Sequence, residues 1–329
     1  MQYPLRGFWI TVAILWAVLC IAGYFYSKQQ GIPDSAALAV ILASLVEAAF
    51  YIAPGFASVR QRLSGVRSRY LLAGFLAVSA LVPYVIFAGL SSTFEWLSFA
   101  LLGLIAAVIP FWFAILPKHP ATDLGFLALV AIVFLSTIFQ SIYIDPHPRI
   151  PAEMFGKLMS IRLGIASALF LRGVKGTGFG FVPERKDWKI GILHYLYFLP
   201  VGAALIALTG FATLRSLPVD PAKLALTAFA SFLGFLWVVA LSEEFFVRGL
   251  LQQWLSKWMN SPMAGLLIAS LIFGLLHLPF RSAFPNWRFA LLAATASLFY
   301  GRAFQQAGSI RASMVTHALV VLTWRVFLV

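Results

Sequence analysis

Charged residues are scarce in this sequence. Asp, Glu, Lys and Arg make up 11% of its 329 residues, whereas hydrophobic residues make up 61%. A soluble protein of this length cannot bury so much apolar surface, so the composition excludes a soluble globular domain and indicates a polytopic membrane protein. The one cysteine, Cys20, lies inside the first apolar run, which excludes a disulfide framework and thiol chemistry.

Acidic residues are scarcer than basic ones, 11 against 24, and the formal net charge is +13. In a soluble protein this excess would suggest a nucleic acid as partner. Here the basic residues gather in loops, which is typical of the charges that set membrane topology. We therefore expect the partner to be the anionic lipid of a bilayer and not a nucleic acid. The two clusters are Arg60, Arg62, Arg67 and Arg69, and Arg172, Lys175, Arg185, Lys186 and Lys189.

Long apolar runs dominate the rest of the chain. A membrane helix needs about 20 apolar residues, and ten runs meet that length, which predicts an all-α polytopic bundle. They lie at 8–27, 36–55, 70–90, 94–116, 124–143, 190–213, 224–256, 263–280, 287–304 and 310–328. The segment 153–172 is apolar but carries Lys157 and Arg162, so it is either an eleventh span or an interfacial helix.

The side of the membrane depends on that segment. If 153–172 spans, both basic clusters are cytoplasmic and the loop at 281–288 faces outward. If it is interfacial, this loop faces the cytoplasm and one basic loop lies outside. Either arrangement predicts a multi-pass protein of the cell membrane, the inner membrane if the source is bacterial.

The residues capable of chemistry are unevenly distributed along the chain. The first five apolar runs offer little beyond Glu47, whereas every other intramembrane residue of interest follows position 190. A proline-rich run at 145–151 marks a soft boundary. We therefore expect membrane helices of unassigned role in 1–150, an amphipathic helix or poor span with a basic polar loop in 151–189, and the functional membrane domain in 190–329.

Two adjacent acids, Glu243 and Glu244, follow an apolar run, 224–241, without a single charge. An ionisable group inside hydrocarbon costs about 2.5–3.5 kcal/mol on insertion scales, so it persists only when it is paired or faces a cavity. Glu244 precedes Arg248 by four residues, the favourable orientation for an ion pair on a helix. Glu243 has Val247 at the equivalent position and needs a partner from another helix.

The expected partner of Glu243 is His277. The turn at 260–262 joins two antiparallel helices, and the two residues lie seventeen positions before and after Asn260. At about 1.5 Å per residue, both are on the order of 25 Å from the turn, at matching depth. His317, on the last helix, brings a second imidazole near this level, and Phe273 shares the face of His277. A carboxylate and two imidazoles in a dry pocket make a site that can activate water.

These residues carry a family resemblance. Glu243-Glu244-x-x-x-Arg248, then Phe273-x-x-x-His277, then His317 resembles the CAAX prenyl protease and its bacterial relatives, the CPBP group of glutamic intramembrane endopeptidases. The resemblance covers roughly 223–325 and does not extend to the first half of the chain. It implies that 190–329 is a catalytic membrane domain.

The resemblance also implies roles for individual residues. Glu243 would activate the attacking water, assisted by His277, and His317 would help to stabilise the oxyanion of the tetrahedral intermediate. Glu244 and Arg248 would hold the site in shape, and Phe273 would support it. No metal and no cofactor is implied.

One position departs from the family pattern. The family usually has Asn or Asp four residues after the last histidine, and this chain has Val321. The partner of the oxyanion is therefore missing or supplied by another residue. Trp324, seven residues after His317 and on the same helix face, offers an indole N–H as a substitute donor.

Three classes of function are compatible with this pattern. The first is an intramembrane endopeptidase that cleaves a membrane-anchored protein or peptide. The second is a proton-coupled transporter, because buried Glu and His residues also form proton relays. The third is a non-catalytic membrane scaffold of the same fold, in which Val321 would reflect the loss of catalytic function. A metalloprotease is disfavoured, since the sequence has no His-Glu-x-x-His motif.

Overall fold

The computed structural model of the chain describes residues 4–216, 220–280 and 284–328, so positions 281–283 of the loop 281–288 lie outside the described residues. The described residues are almost entirely helical. They form no β-strand, and an isolated bridge between Leu214 and Leu328 is their one β-type pairing. The chain divides into two compact units, Met1–Val174 and Lys175–Val329, so the division falls inside the predicted segment 151–189.

The first unit is a bundle of long apolar helices with short connections. Several helices end at glycine, as α1 does at Gly31, whose φ of 65° is one that glycine adopts without strain. The helices are α1 (Arg6–Gln30), α2 (Asp34–Ile52), α3 (Ala57–Ser64), α4 (Arg69–Leu90), α5 (Trp96–Ile115), α6 (Pro120–Leu135), α7 (Ile138–Ile142) and α8 (Glu153–Arg172).

The second unit contains the helices that carry the predicted site. Its first helix starts with a capping box, in which the side chains of Glu184 and Asp187 each accept from the other's backbone N–H. The helices are α9 (Arg185–Thr209), α10 (Pro221–Trp258), α11 (Pro262–Leu275), α12 (Trp287–Ala307) and α13 (Ile310–Phe327).

Eight helices among the described residues are long and apolar enough to cross a membrane: α1, α2 with its extension to Gly55, α4, α5, α8, α9, α10 and α13. Helices α6 and α11 are apolar but shorter. The predicted all-α polytopic bundle is confirmed, and the chain is a multi-pass membrane protein. The ambiguous segment 153–172 is α8, one of the eight.

Helix α8 can lie in an apolar environment because its charges are paired. Arg162, fully inside the first unit, binds Glu47 through Nε at 2.7 Å and donates to both the hydroxyl and the carbonyl of Ser79. Lys157 binds Glu153 one turn away at 2.7 Å. Buried charges persist when they are paired and hydrogen-bonded, so Arg162 is compatible with a spanning helix.

Two predicted spans end earlier in the structure. The span predicted at 124–143 is α6, which ends at Leu135, followed by the separate short helix α7. The span predicted at 263–280 is α11, which ends at Leu275 and places His277 in the following turn. Pro279 explains the second difference, because proline has no N–H and disfavours helical backbone at the residue before it.

Close packing of α11 on α12 requires glycine at position 274. A Cβ there would lie 2.7 Å from the carbonyl oxygen of Ala290 and 2.6 Å from the Cβ of Ala294. We expect Gly274→Ala to lower the free energy of unfolding by about 1–3 kcal/mol, as overpacking does. Gly234→Ala is the matched control, because a Cβ there meets nothing within 4 Å. Thermal unfolding in detergent micelles measures both, and equal effects would contradict this packing.

Candidate active site

Helix α10 changes its hydrogen-bond register around the two acids. Two π-helical stretches, Phe235–Ala240 and Phe245–Gln252, flank one α-helical turn, Leu241–Glu244. Such i→i+5 segments are rare and are frequently found at functional sites. A π-turn also changes the direction of every later side chain relative to a regular helix, so residue spacing alone does not give the orientation of this region.

Glu244 is the centre of the buried polar network. Its Oε2 accepts from Arg248 Nε at 3.0 Å, and its Oε1 lies 2.8 Å from His317 Nδ1. The side chains of Glu244 and Arg248 have no exposed surface. The predicted ion pair between them is therefore confirmed. His317 is a second partner of this carboxylate.

Arg248 donates a hydrogen bond from each of its three guanidinium nitrogens in this network. Besides Glu244, it donates through Nη1 to Gln252 at 3.3 Å and through Nη2 to Ser297 at 2.6 Å. Its guanidinium also lies 5.7 Å from the ring centroid of Phe273. A buried cation with this many partners fixes the geometry around it.

Glu243 differs from its neighbour in having an unpaired oxygen. Its Oε2 is buried, has no hydrogen-bond partner within the part of the chain described, and lies 3.8 Å from His317 Nε2. The side chain is 29% exposed, so the carboxylate is reachable from outside the network. This separation is one that a single water, at about 2.8 Å from each atom, can bridge.

The partner of Glu243 in the structure is His317. His277, expected in this position, lies just after α11, and its Nδ1 is 2.7 Å from the carbonyl oxygen of Phe273. In the described ranges no hydrogen bond or ion pair joins Glu243 to His277. The depth estimate assumed regular α-helix on both sides of the turn, but α10 contains π-turns and α11 ends at Leu275. The two side chains make no direct contact, and their joint action on a water molecule stays a prediction.

Phe273 lies between the two imidazoles. Its ring centroid is 4.6 Å from that of His277 and 6.0 Å from that of His317, the second in an edge-to-face arrangement. Phe280 and Phe289 contact the ring of His277 at 5.1 Å each. Aromatic side chains therefore surround the ring of His277, and Phe273 contacts both imidazoles.

Val321, which replaces the usual oxyanion partner, and Trp324, the predicted substitute, both lie on α13. Val321 is apolar and has no group to donate. The ring of Trp324 packs on Phe211 at 4.9 Å and Phe289 at 6.1 Å, so it is one aromatic ring away from His277. Trp324 as a substitute donor stays a prediction.

Sequence reasoning missed three polar residues at the site: Gln252, Ser297 and Tyr300. Ser297 and Tyr300 are three residues apart, so they lie on one face of α12. This spacing is the sequence feature that could have indicated a polar face on this helix. Tyr300 stacks on His317 with ring centroids 4.5 Å apart and planes 12° from parallel. The contacts that these three residues make with other helices depend on helix packing, so the spacing of residues in the sequence does not predict them.

The acids and histidines do not form a metal-type cluster. Within residues 4–216, 220–280 and 284–328, no group of three or more His, Cys, Asp or Glu side chains is arranged to hold a metal ion. The site instead offers one unpaired carboxylate oxygen, an imidazole held by a second carboxylate, and a fixed cation behind them. This arrangement can orient a water molecule and take a proton from it.

The helices and this site have the features expected of an intramembrane endopeptidase. Residues 225–323 match a family model, "Type II CAAX prenyl endopeptidase Rce1-like", which contains the acids, both histidines and Tyr300 but covers less than a third of the chain. This region is similar to the Rce1-like family, so the resemblance drawn from the sequence is confirmed. Searches of curated proteins and of solved structures gave no match.

Proposed function

We propose that the chain is a glutamic intramembrane endopeptidase that cleaves a membrane-anchored protein or peptide by means of a water activated at Glu243. The catalytic domain is 190–329, and the reaction needs no metal and no cofactor. Its location is the cell membrane, the inner membrane if the source is bacterial. The observation that carries the proposal is the buried, unpaired Oε2 of Glu243 beside His317.

The proposed reaction starts with a water hydrogen-bonded to Glu243. Its carboxylate takes a proton as the water oxygen attacks the scissile carbonyl carbon, and it later returns the proton to the leaving amine. His317 donates Nδ1–H to Glu244, which fixes its tautomer and leaves Nε2 to orient the water. General acid–base help of this kind contributes about 10²–10⁴-fold to a rate.

The remaining site residues support this carboxylate. Glu244 and Arg248 hold His317 in place through the buried network. Phe273 contacts both imidazoles, and the ring of His277 also contacts Phe280 and Phe289. We propose that His277 contacts the substrate peptide, because its Nε2 is free once Nδ1–H donates to the Phe273 carbonyl.

Three substrate types remain candidates: a prenylated C-terminal peptide, a leader peptide and a membrane-anchored sorting tail. The test is to reconstitute the full chain in lipid vesicles with each peptide and to identify the products by mass spectrometry. Cleavage at an internal peptide bond of a membrane-anchored peptide is expected. If none of the three is cut and vesicles instead accumulate protons, the transporter is the correct function.

Metal removal provides an independent prediction. With the best-cleaved peptide, we expect the rate in excess EDTA or 1,10-phenanthroline to stay within about twofold of the untreated rate, because the proposed base is a carboxylate and not a metal-bound water. Loss of cleavage that is restored by added Zn²⁺ would contradict a metal-independent mechanism.

A further inference from the structure

The ring of Tyr300 is rigidly held against the proposed catalytic histidine. Tyr300 lies on α12, is 2% exposed, and stacks on His317. Phe273 meets the Tyr300 ring edge-on at 6.3 Å, and the Arg248 guanidinium lies 6.0 Å from the ring centroid. The phenol is therefore fixed by contacts on its ring, none of which uses its hydroxyl group.

The hydroxyl of Tyr300 has no hydrogen-bond partner among the residues that the structure describes. Its oxygen is not among the fully enclosed side-chain atoms that lack a partner, so the hydroxyl keeps an opening through which an acceptor can reach it. Tyr300 stacks on His317, which contacts both acids, so the phenol belongs to the same cluster. The ring of Tyr300 and the unpaired Oε2 of Glu243 thus both lie beside the imidazole of His317.

We propose that Tyr300 is a catalytic residue whose O–H donates a hydrogen bond to the oxyanion of the tetrahedral intermediate. The inference rests on the proposed peptidase function and supplies the donor that Val321 lacks. It is favoured over Trp324 because Tyr300 touches His317, whereas Trp324 packs on Phe211 and Phe289.

The proposed step is balanced without further reactants. The water oxygen bonds to the carbonyl carbon as its proton passes to Glu243, and the carbonyl π electrons move onto oxygen. The hydroxyl of Tyr300 donates a hydrogen bond to that oxyanion and keeps its own proton. When the C–N bond breaks, the carbonyl re-forms and Glu243 protonates the departing amine.

Tyr300→Phe tests the proposal, because it keeps the stacked ring and removes the oxygen atom alone. We expect kcat to fall about 10²–10³-fold, as for loss of one oxyanion donor, with KM and thermal unfolding unchanged. Tyr195→Phe is the matched control. Tyr195 lies on α9 and its hydroxyl contacts that of Thr323 on α13 at 2.7 Å, so the kcat of this variant should stay within about twofold of wild type.

A second measurement separates catalysis from a structural role. Affinity for a phosphinate peptide, which mimics the tetrahedral intermediate, should weaken in Tyr300→Phe by the same factor as kcat/KM, while affinity for an uncleavable ground-state peptide should not change. Activity within threefold of wild type, equal weakening for both ligands, or a greater kcat loss in Trp324→Phe would overturn the assignment. If wild type cleaves no peptide, the peptidase proposal itself fails.

Discussion

Glu243→Gln is expected to lower the cleavage rate about 10²–10⁴-fold, the usual contribution of a general base. The amide has nearly the same shape as the carboxylate but cannot take a proton from water at neutral pH. The measurement is the single-turnover rate with a membrane-anchored peptide in vesicles.

Folding should survive the same substitution. Glu243 has a buried Oε2 without a hydrogen bond and lies 3.8 Å from His317 Nε2, so its charge adds little to stability. We expect the free energy of unfolding to stay within about 0.5 kcal/mol of wild type, as for substitutions that remove no structural contact. Persistent activity in Glu243→Gln would contradict its role as the base.

Arg248→Met is expected to lower the free energy of unfolding by about 3–5 kcal/mol, the cost of removing one partner from a buried pair. The substitution leaves the carboxylate of Glu244 buried with only His317 beside it, and it also removes the donors to Gln252 and Ser297. Thermal or denaturant unfolding in micelles measures the loss. Activity should also fall, because part of the protein is unfolded and because His317 is less firmly held in the folded part.

A double substitution distinguishes a lost ion pair from lost packing. Glu244→Leu with Arg248→Met removes both charges, so no uncompensated ion is left, and we expect it to recover most of the stability lost in Arg248→Met alone. The matched comparison is Lys157→Met, which breaks a partly exposed pair with Glu153 and should cost at most about 1 kcal/mol. Equal costs for Arg248→Met and Lys157→Met would contradict the buried network.

The membrane helices and one ion pair were predictable because their signals are local. Runs of about 20 apolar residues define spans directly, and the four-residue spacing of Glu244 and Arg248 places them on one helix face. Segment 153–172 was ambiguous because Arg162 pairs with Glu47, which is 115 positions away in the chain. Sequence spacing does not indicate a contact of that kind.

The partner of Glu243 was not predictable for the same physical reason. Counting residues from the turn assumes a constant rise per residue along regular helices. In the structure α10 contains π-turns, and α11 ends at Leu275, before His277. His317 reaches both acids because α13 packs beside α10, and Tyr300 joins them from α12. Each of these contacts joins helices that are distant in sequence.

The central claim is that Glu243 acts on a water molecule and does not itself attack the peptide bond. Single-turnover cleavage in H₂¹⁸O tests it, with both products analysed by mass spectrometry. We expect the new carboxyl terminus to carry one ¹⁸O atom after the first turnover, and the Glu243 side chain to carry none. An unlabelled product together with ¹⁸O in Glu243 would show a covalent acyl intermediate and contradict the mechanism.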